Sequence, residues 1–310
     1  MNCTEKPKIA GVITEFNPFH KGHKYFLKKI KQMGYTHIVC AMSPNFVQRG
    51  DIALLSKWQR TKMALNSGAD LIIEIPTPFA LSCGEKFAQC GVHLLSSLGC
   101  VDTLFFGSES GDVSKIEKIA FSEESIEFKQ ILSEHIKCGK SYPTAYSIAF
   151  DSSFEKGLLT PNNILGAEYI KAIKKSKSQM DYKTIKRLGV NHDSNNIENN
   201  IASASFIRKI ALKGDIIQAQ QLCDENFGFL DFHFAKTDVI LAILRTKTKD
   251  YFNSLADCEN GLGDKIYDSV KKANTFEEVV ELSKSKCYTR AKICRIIFSA
   301  VLQIDKTYTK

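Results

Sequence analysis

Gly11-Val12-Ile13-Thr14-Glu15-Phe16-Asn17-Pro18-Phe19-His20-Lys21-Gly22-His23-Lys24 is the stretch from which the fold can be read. With Ile9 and Ala10 before it, its first part is a short, mostly apolar run of strand length. Asn17-Pro18 marks a turn. From Gly22 onward His23, Phe26, Leu27 and Ile30 recur at helical spacing. The order is strand, tight loop, helix, and the loop carries two histidines three residues apart.

Such a loop suits phosphate. A helix N-terminus presents unpaired N–H groups and the positive end of its dipole. Gly22 has no Cβ, so a ligand can approach the backbone. His20 and His23 can each donate a hydrogen bond to a phosphate oxygen, more strongly when protonated. Donors of this kind act on the charge that builds up during attack at phosphorus. A lone histidine usually has a structural role; two of them in this loop point to chemistry.

His20-Lys21-Gly22-His23 resembles the HxGH signature of the nucleotidyltransferase superfamily. The longer run from Glu15 to His23 resembles one family inside it, the tRNA(Met) cytidine acetate ligases. Met42-Ser43-Pro44-Asn45-Phe46-Val47-Gln48-Arg49-Gly50 and Lys57-Trp58-Gln59-Arg60 resemble the same family. So do Gly68-Ala69-Asp70-Leu71-Ile72-Ile73-Glu74-Ile75-Pro76, Phe105-Phe106-Gly107-Ser108-Glu109 and Pro161-Asn162-Asn163-Ile164-Leu165-Gly166. The resemblance is specific from Gly11 to Arg208 and weaker beyond.

Composition sets wider bounds. The 310 residues are 44% hydrophobic and 25% charged, as in an ordinary soluble globular protein long enough for two domains. Met1 to Lys8 is polar, without a signal-peptide apolar core, and no apolar run is long enough to cross a bilayer. The cytoplasm is the expected location, with no membrane partner. A net charge of +8 permits a polyanionic partner without requiring one. The ten cysteines form no CxxC pair and no zinc spacing, so they are expected as reduced, small apolar residues.

The rest of the chain alternates. Strands are expected at His37 to Ala41, Leu71 to Ile75 (apolar and central), Thr103 to Phe106 and Met180 to Leu188. Helices are expected at Ser56 to Asn66, Cys83 to Leu98 and Ser141 to Phe150, and from Pro161 onward. Asp112 to Gly139 reads as a helical insertion, extending to about 150, outside the sheet crossovers. The loop Ser43 to Asp51 leaves a strand's carboxyl end, where Gln48 and Arg49 either face substrate or form a solvated turn. Lys57, Arg60 and Lys62 read by default as a solvated basic face. Asn162 and Asn163 either cap their helix or read a ribose or adenine edge. Ser203 and Ser205 would cap a helix, or with Arg208 hold the β- and γ-phosphates. His192 falls in the polar segment Asn191 to Asn200, which reads as a loop. From Asp215 the pattern is mostly helical, with Phe227, Phe229, Phe232 and Phe234 as an aromatic connector. Lys284, Lys286, Arg290, Lys292 and Arg295 contain no acidic residue among them; with Tyr288 they are either an RNA-facing patch or a solvated face.

Together these give an α/β fold: a Rossmann-like parallel sheet with helices on both faces, followed by a smaller helical domain. The expected domains are 1–212, nucleotide-binding and catalytic, and 213–310, helical and basic. The resemblance implies ATP as substrate, His20 and His23 as catalytic residues, and ATP contacts along Gly11 to Lys24 and at Gly107, Asn162, Arg187, Ser203, Ser205 and Arg208. It implies acetate activated as acetyl-adenylate and transferred to N4 of the wobble cytidine of elongator tRNA(Met). Magnesium is compatible with ATP, but no carboxylate cluster demands it. Two other readings stand beside this one: an adenylyltransferase joining ATP to a phosphorylated small molecule, and a tRNA-binding protein without turnover. Nothing in the chain fixes an oligomeric state.

Overall fold

Among the described residues lie seven strands: β1 (Ile9–Thr14), β2 (His37–Met42), β3 (Phe46–Val47), β4 (Asp51–Ile52), β5 (Leu71–Glu74), β6 (Thr103–Ser108) and β7 (Asp181–Lys186). This computed structural model describes residues 6–187, 202–223, 230–233, 236–285 and 288–309. Five strands form a parallel sheet in the order β5-β2-β1-β6-β7, while β3 and β4 make a separate antiparallel ribbon. The chain steps outward from β1 to β2 to β5, then returns to β6 and steps the other way to β7. The reversal lies between β1 and β6, and open α/β sheets bind ligands outside the carboxyl ends of such a pair.

Small residues set the helix layers. Right-handed crossovers put α1 (Lys21–Gln32) and α2 (Lys57–Asn66) on one face. On the other face lies α4 (Gly84–Ser97), which follows the short α3 (Thr77–Ala80). A Cβ on Gly11 would sit 2.9 Å from Leu95 and Val101, and one on Gly91 2.7 Å from Ile13, so α4 packs directly on β1. Beyond α5 (Val113–Ala120), α6 (Ile126–Lys137) and α7 (Tyr142–Ser153) comes α8 (Pro161–Lys175). A Cβ on Gly166 would come within 2.5 Å of Phe106, which seats α8 on β6.

Three expectations change. Leu71 to Ile75 is not central: β5 pairs only with β2, and Leu71 is exposed. A short apolar run such as Leu71-Ile72-Ile73 looks the same at an edge as at the centre. The stretch expected as one helical insertion divides, because α5 packs on α8 in the crossover layer and only α6 and α7 form a side hairpin. The ribbon β3–β4 lay below the length at which periodicity can be read. In addition, Leu188, His192 and Ile201, Phe227, Phe229 and Phe234, and Lys286 fall outside the described residues.

The chain divides into two compact units. One comprises Met1–Met42, Trp58–Glu74 and Ala88–Leu230, including α9 (Ala204–Leu212) and α10 (Ile216–Cys223). The other comprises Ser43–Lys57, Ile75–Phe87 and Asp231–Lys310. It contains α11 (Thr237–Arg245), α12 (Lys249–Ser254), α13 (Leu262–Lys272), α14 (Phe276–Ser283) and α15 (Arg290–Leu302). The division therefore differs from a single cut after residue 212. Leu81 is buried in the helical core, and Phe46 and Ile52 pack against it, which draws two early segments into the second unit.

Candidate active site

The two histidines cap their own helix. His20 is the N-cap of α1, and its Nδ1 accepts the Gly22 N–H at 3.0 Å. His23, three residues on, returns the bond: its Nδ1 accepts the His20 N–H at 3.3 Å. This is the reciprocal geometry of a capping box, built from imidazoles instead of Ser and Glu. It explains the three-residue spacing. It also fixes the tautomers, since a neutral ring that accepts at Nδ1 carries its proton on Nε2. The rings stack with centroids 3.9 Å apart. His20 is buried, and its Nε2 meets no hydrogen-bond partner among the described residues. A buried donor left unpaired is destabilising, so a native site that keeps one invites a ligand.

The preceding turn is held from several sides. Phe16 adopts φ 46°, the left-handed region that bulky residues avoid. The Asn17–Pro18 peptide is cis. Phe16 and Phe19 are fully buried, edge to face at 4.9 Å, and both rings contact the His23 ring. Two arginines bind the turn's main chain. Arg60 Nη1 donates to the Glu15 carbonyl and Arg208 Nη1 to the Asn17 carbonyl, each at 2.6 Å. Arg60 is completely buried, so the expectation of a solvated face on α2 fails at that residue. Burial holds its pKa down to about 10, offset by the nearby Glu15 and Glu74 charges, and it remains a cation at neutral pH.

Electrostatics decide the protonation state. Burial, then the charges of Arg187 and Arg208, push His20 down to about 3. Burial, then His20 and Arg187, hold His23 well below the ordinary imidazole range. Both rings are therefore neutral at physiological pH, and the expectation of stronger donation by protonated rings does not apply. Permanent charge comes from the arginines instead. The expectation that the helix end offers bare N–H groups also changes: the Gly22 N–H is taken by His20. The imidazoles pass that donor capacity outward by the width of a ring, from N–H through Nδ1 to Nε2–H.

The facing strand end supplies further groups. Arg187 follows β7, and its stem runs over Gly107, where a Cβ would sit 3.3 Å from Cγ. Gly107 thus clears a path for the arginine. Asn163 is buried; its Oδ1 accepts the Glu109 N–H at 3.1 Å and its Nδ2 donates to the Leu158 carbonyl at 2.8 Å. Asn162 is half-buried and donates to Glu109 Oε1, while Thr160 Oγ1 donates to Glu109 Oε2 at 2.6 Å. Asn163 shapes the loop and Asn162 is aimed by a carboxylate. Ser203 caps α9 by accepting the Phe206 N–H at 3.1 Å. Ser205, expected as a second cap, lies inside the first turn and accepts from Arg208 Nη2 at 3.2 Å.

Several of the expected residues have packing or main-chain partners. Gly11, Val12 and Ile13 are sheet interior, and Gly11 serves helix packing. Gln48 belongs to the second unit, where its carbonyl accepts from Arg295 Nη1 at 3.1 Å and its side chain donates to the Ser82 carbonyl. The carboxyl-terminal basic segment is partly paired with acids. Arg290 makes two bonds to Glu277, Lys284 pairs with Glu281, and Lys292 lies over the Tyr288 ring. Arg60, Glu109 and Thr160 were missed. Their partners are main-chain carbonyls or side chains distant in sequence, which no local spacing signals.

Comparison with known proteins agrees with this geometry. The family described as HIGH Nucleotidyl Transferase matches residues 7–310. The tRNA(Met) cytidine acetate ligase of Caldanaerobacter subterraneus subsp. tengcongensis is 39% identical over 322 residues, spanning 98% of this chain and 80% of that one. The protein of the same name from Clostridium novyi is 39% identical over 308 residues, 93% and 77% of the two chains. The crystal structure of Thermotoga maritima TmcAL superposes with a TM-score of 0.87 at 28% identity, covering 97% of this chain and 77% of that one. Its form bound with alpha-thio ATP gives 0.85, at the same identity, over 97% and 76%. The sheet, the histidine-capped helix and these relatives together assign the chain to the tRNA(Met) cytidine acetate ligase family, among the HIGH nucleotidyl transferases.

Proposed function

We propose that this protein activates acetate with ATP and transfers the acetyl group to N4 of the wobble cytidine of elongator tRNA(Met). The observation that carries the reading is the buried, unpaired His20 Nε2 at a helix N-terminus on the sheet's switch point, with Arg187 and Arg208 beside it. The names of the relatives supply the acceptor, and the nucleotide analogue in one of them supports ATP.

In the first step an acetate oxygen attacks the α-phosphorus of ATP. The bond to the β-phosphate oxygen breaks, giving acetyl-adenylate and pyrophosphate. Two neutral Nε2–H donors bond the phosphate oxygens whose charge rises in the transition state, and the arginines supply the positive field. No protein nucleophile is required. In the second step the cytidine N4 amine attacks the acetyl carbon; AMP leaves, and the amine gives up one proton. Asn162, aimed by Glu109, is the group we assign to the nucleoside. Ser203, Ser205 and Arg208 are assigned to the pyrophosphate end, and the Lys21 and Lys24 amines to the triphosphate. Among the described residues no three His, Cys, Asp or Glu side chains converge as a metal set, so a magnesium ion would be held chiefly by the triphosphate.

Acetate-dependent ATP–pyrophosphate exchange is the test. Exchange that proceeds equally with a different acid, or with none, overturns the acetate assignment. Production of a dinucleotide from a phosphorylated acceptor would replace it with the adenylyltransferase reading.

A further inference from the structure

The chain's single tryptophan, Trp58, is 73% exposed in the first turn of α2. An indole so open to water is unusual, because burial of an aromatic ring is strongly favourable. Its position is set by residues on the same helix. Arg60, Met63 and Ala64 are the buried face of α2. Trp58, Lys62 and Leu65 stand on the opposite face at helical spacing, and all three are exposed.

Two contacts fix which way α2 runs. Its end lies at the amino edge of the sheet, where Asp70 accepts the Ile38 N–H and pairs with Lys31 of α1, both at 2.7 Å. Its start lies at the carboxyl edge, where Arg60 reaches the Glu15 carbonyl. Trp58 therefore projects at the edge of the sheet that bears His20 and His23, and on the face that carries α1. The indole and the first turn of α1 thus share one edge and one face of the sheet. That helix carries Lys21, Lys24 and Lys28 along one side, and neither α1 nor α2 contains a carboxylate.

We propose that Trp58 is a stacking platform for an unpaired base of the tRNA substrate, next to the cytidine, with Lys28 of α1 and Lys62 following its phosphates. The inference rests on the tRNA reading above. Aromatic stacking plus a cationic track is the general means of holding single-stranded RNA, and a splayed loop presents such bases.

The native protein is its own probe, because its only tryptophan is the residue in question. Titration with an anticodon stem-loop RNA should quench the indole emission to saturation, and inorganic polyphosphate should bind without comparable quenching. Trp58→Ala should raise KM for tRNA about tenfold, and Trp58→Phe should restore most of the loss. Acetate-dependent exchange, which needs no RNA, is the internal control: its loss in the unaltered protein would refute the functional reading and leave the stacking test to the fluorescence alone. Bound RNA without quenching, equal quenching by polyphosphate, or an unchanged KM in Trp58→Ala would overturn the proposal. So would emission that shifts with protein concentration alone, which would mark the face as a contact between copies of the chain.

Discussion

The two units place their polar groups differently. In the helical unit several surface charges are paired: Arg290 meets Glu277 twice, Lys249 and Asn253 share Asp264, and a large apolar cluster lies beneath them. In the sheet unit the turn after β1 and its support break local rules: a phenylalanine at positive φ, a completely buried arginine of α2 donating to it and a buried imidazole with an unpaired nitrogen. Departures of this kind collect at functional sites, where surrounding packing holds what local preference rejects. The comparison teaches that charge read along a sequence is a poor guide to binding. Lys249, Lys284 and Arg290 are paired with acids, whereas Arg60 and Arg208 bind one turn's main chain and Arg187 adds its charge beside the histidines.

The strongest way to break this contrast is His20→Asn. Asparagine still caps a helix but offers no donor at the Nε2 position. Acetate-dependent exchange should fall about 10²–10³-fold with little change in melting temperature. Undiminished exchange would make His20 merely a cap.

Arg60→Met comes next. It removes the Glu15 carbonyl's partner in a buried place, so denaturant unfolding should show a loss of about 2 kcal/mol. Exchange should fall with it, as the turn loosens. An unaffected variant would mean that the turn holds its shape without the arginine.

Acid should then expose the neutral imidazoles. His20 titrates at about 3 in the folded protein against an ordinary 6.5, so the unfolded chain binds more protons between those values. Its contribution is complete above about pH 6.5 and is lost as pH falls toward 3, by up to roughly 1.4 kcal/mol per pH unit. His20→Asn should flatten the fall of melting temperature over that window. An identical slope in both proteins would show that the ring is not held neutral by the fold.

The smallest effect is expected from the helical unit. Arg290→Ala breaks a pair whose members are both well exposed, so stability should move by no more than about 0.5 kcal/mol. tRNA affinity should stay the same. A clear drop in affinity would return the carboxyl-terminal helices to the RNA-facing role that their sequence suggests.

Much was legible from residue order alone. The alternation of apolar runs with helical repeats located every strand of the main sheet, because backbone hydrogen bonding and side-chain periodicity are local. The histidine pair could be found for the same reason: three residues is the reach of a helix cap, and the motif is contained within one turn. What only the tertiary structure decided involves partners far apart in the chain. Burial of Arg60 depends on a carbonyl 45 residues away. The neutral state of His20 depends on its burial and on Arg187 and Arg208. The edge position of β5 and the pairing of Arg290 depend on which elements become neighbours. Desolvation and Coulomb energy are set by distance in space, and a linear sequence does not contain that distance until the chain has packed.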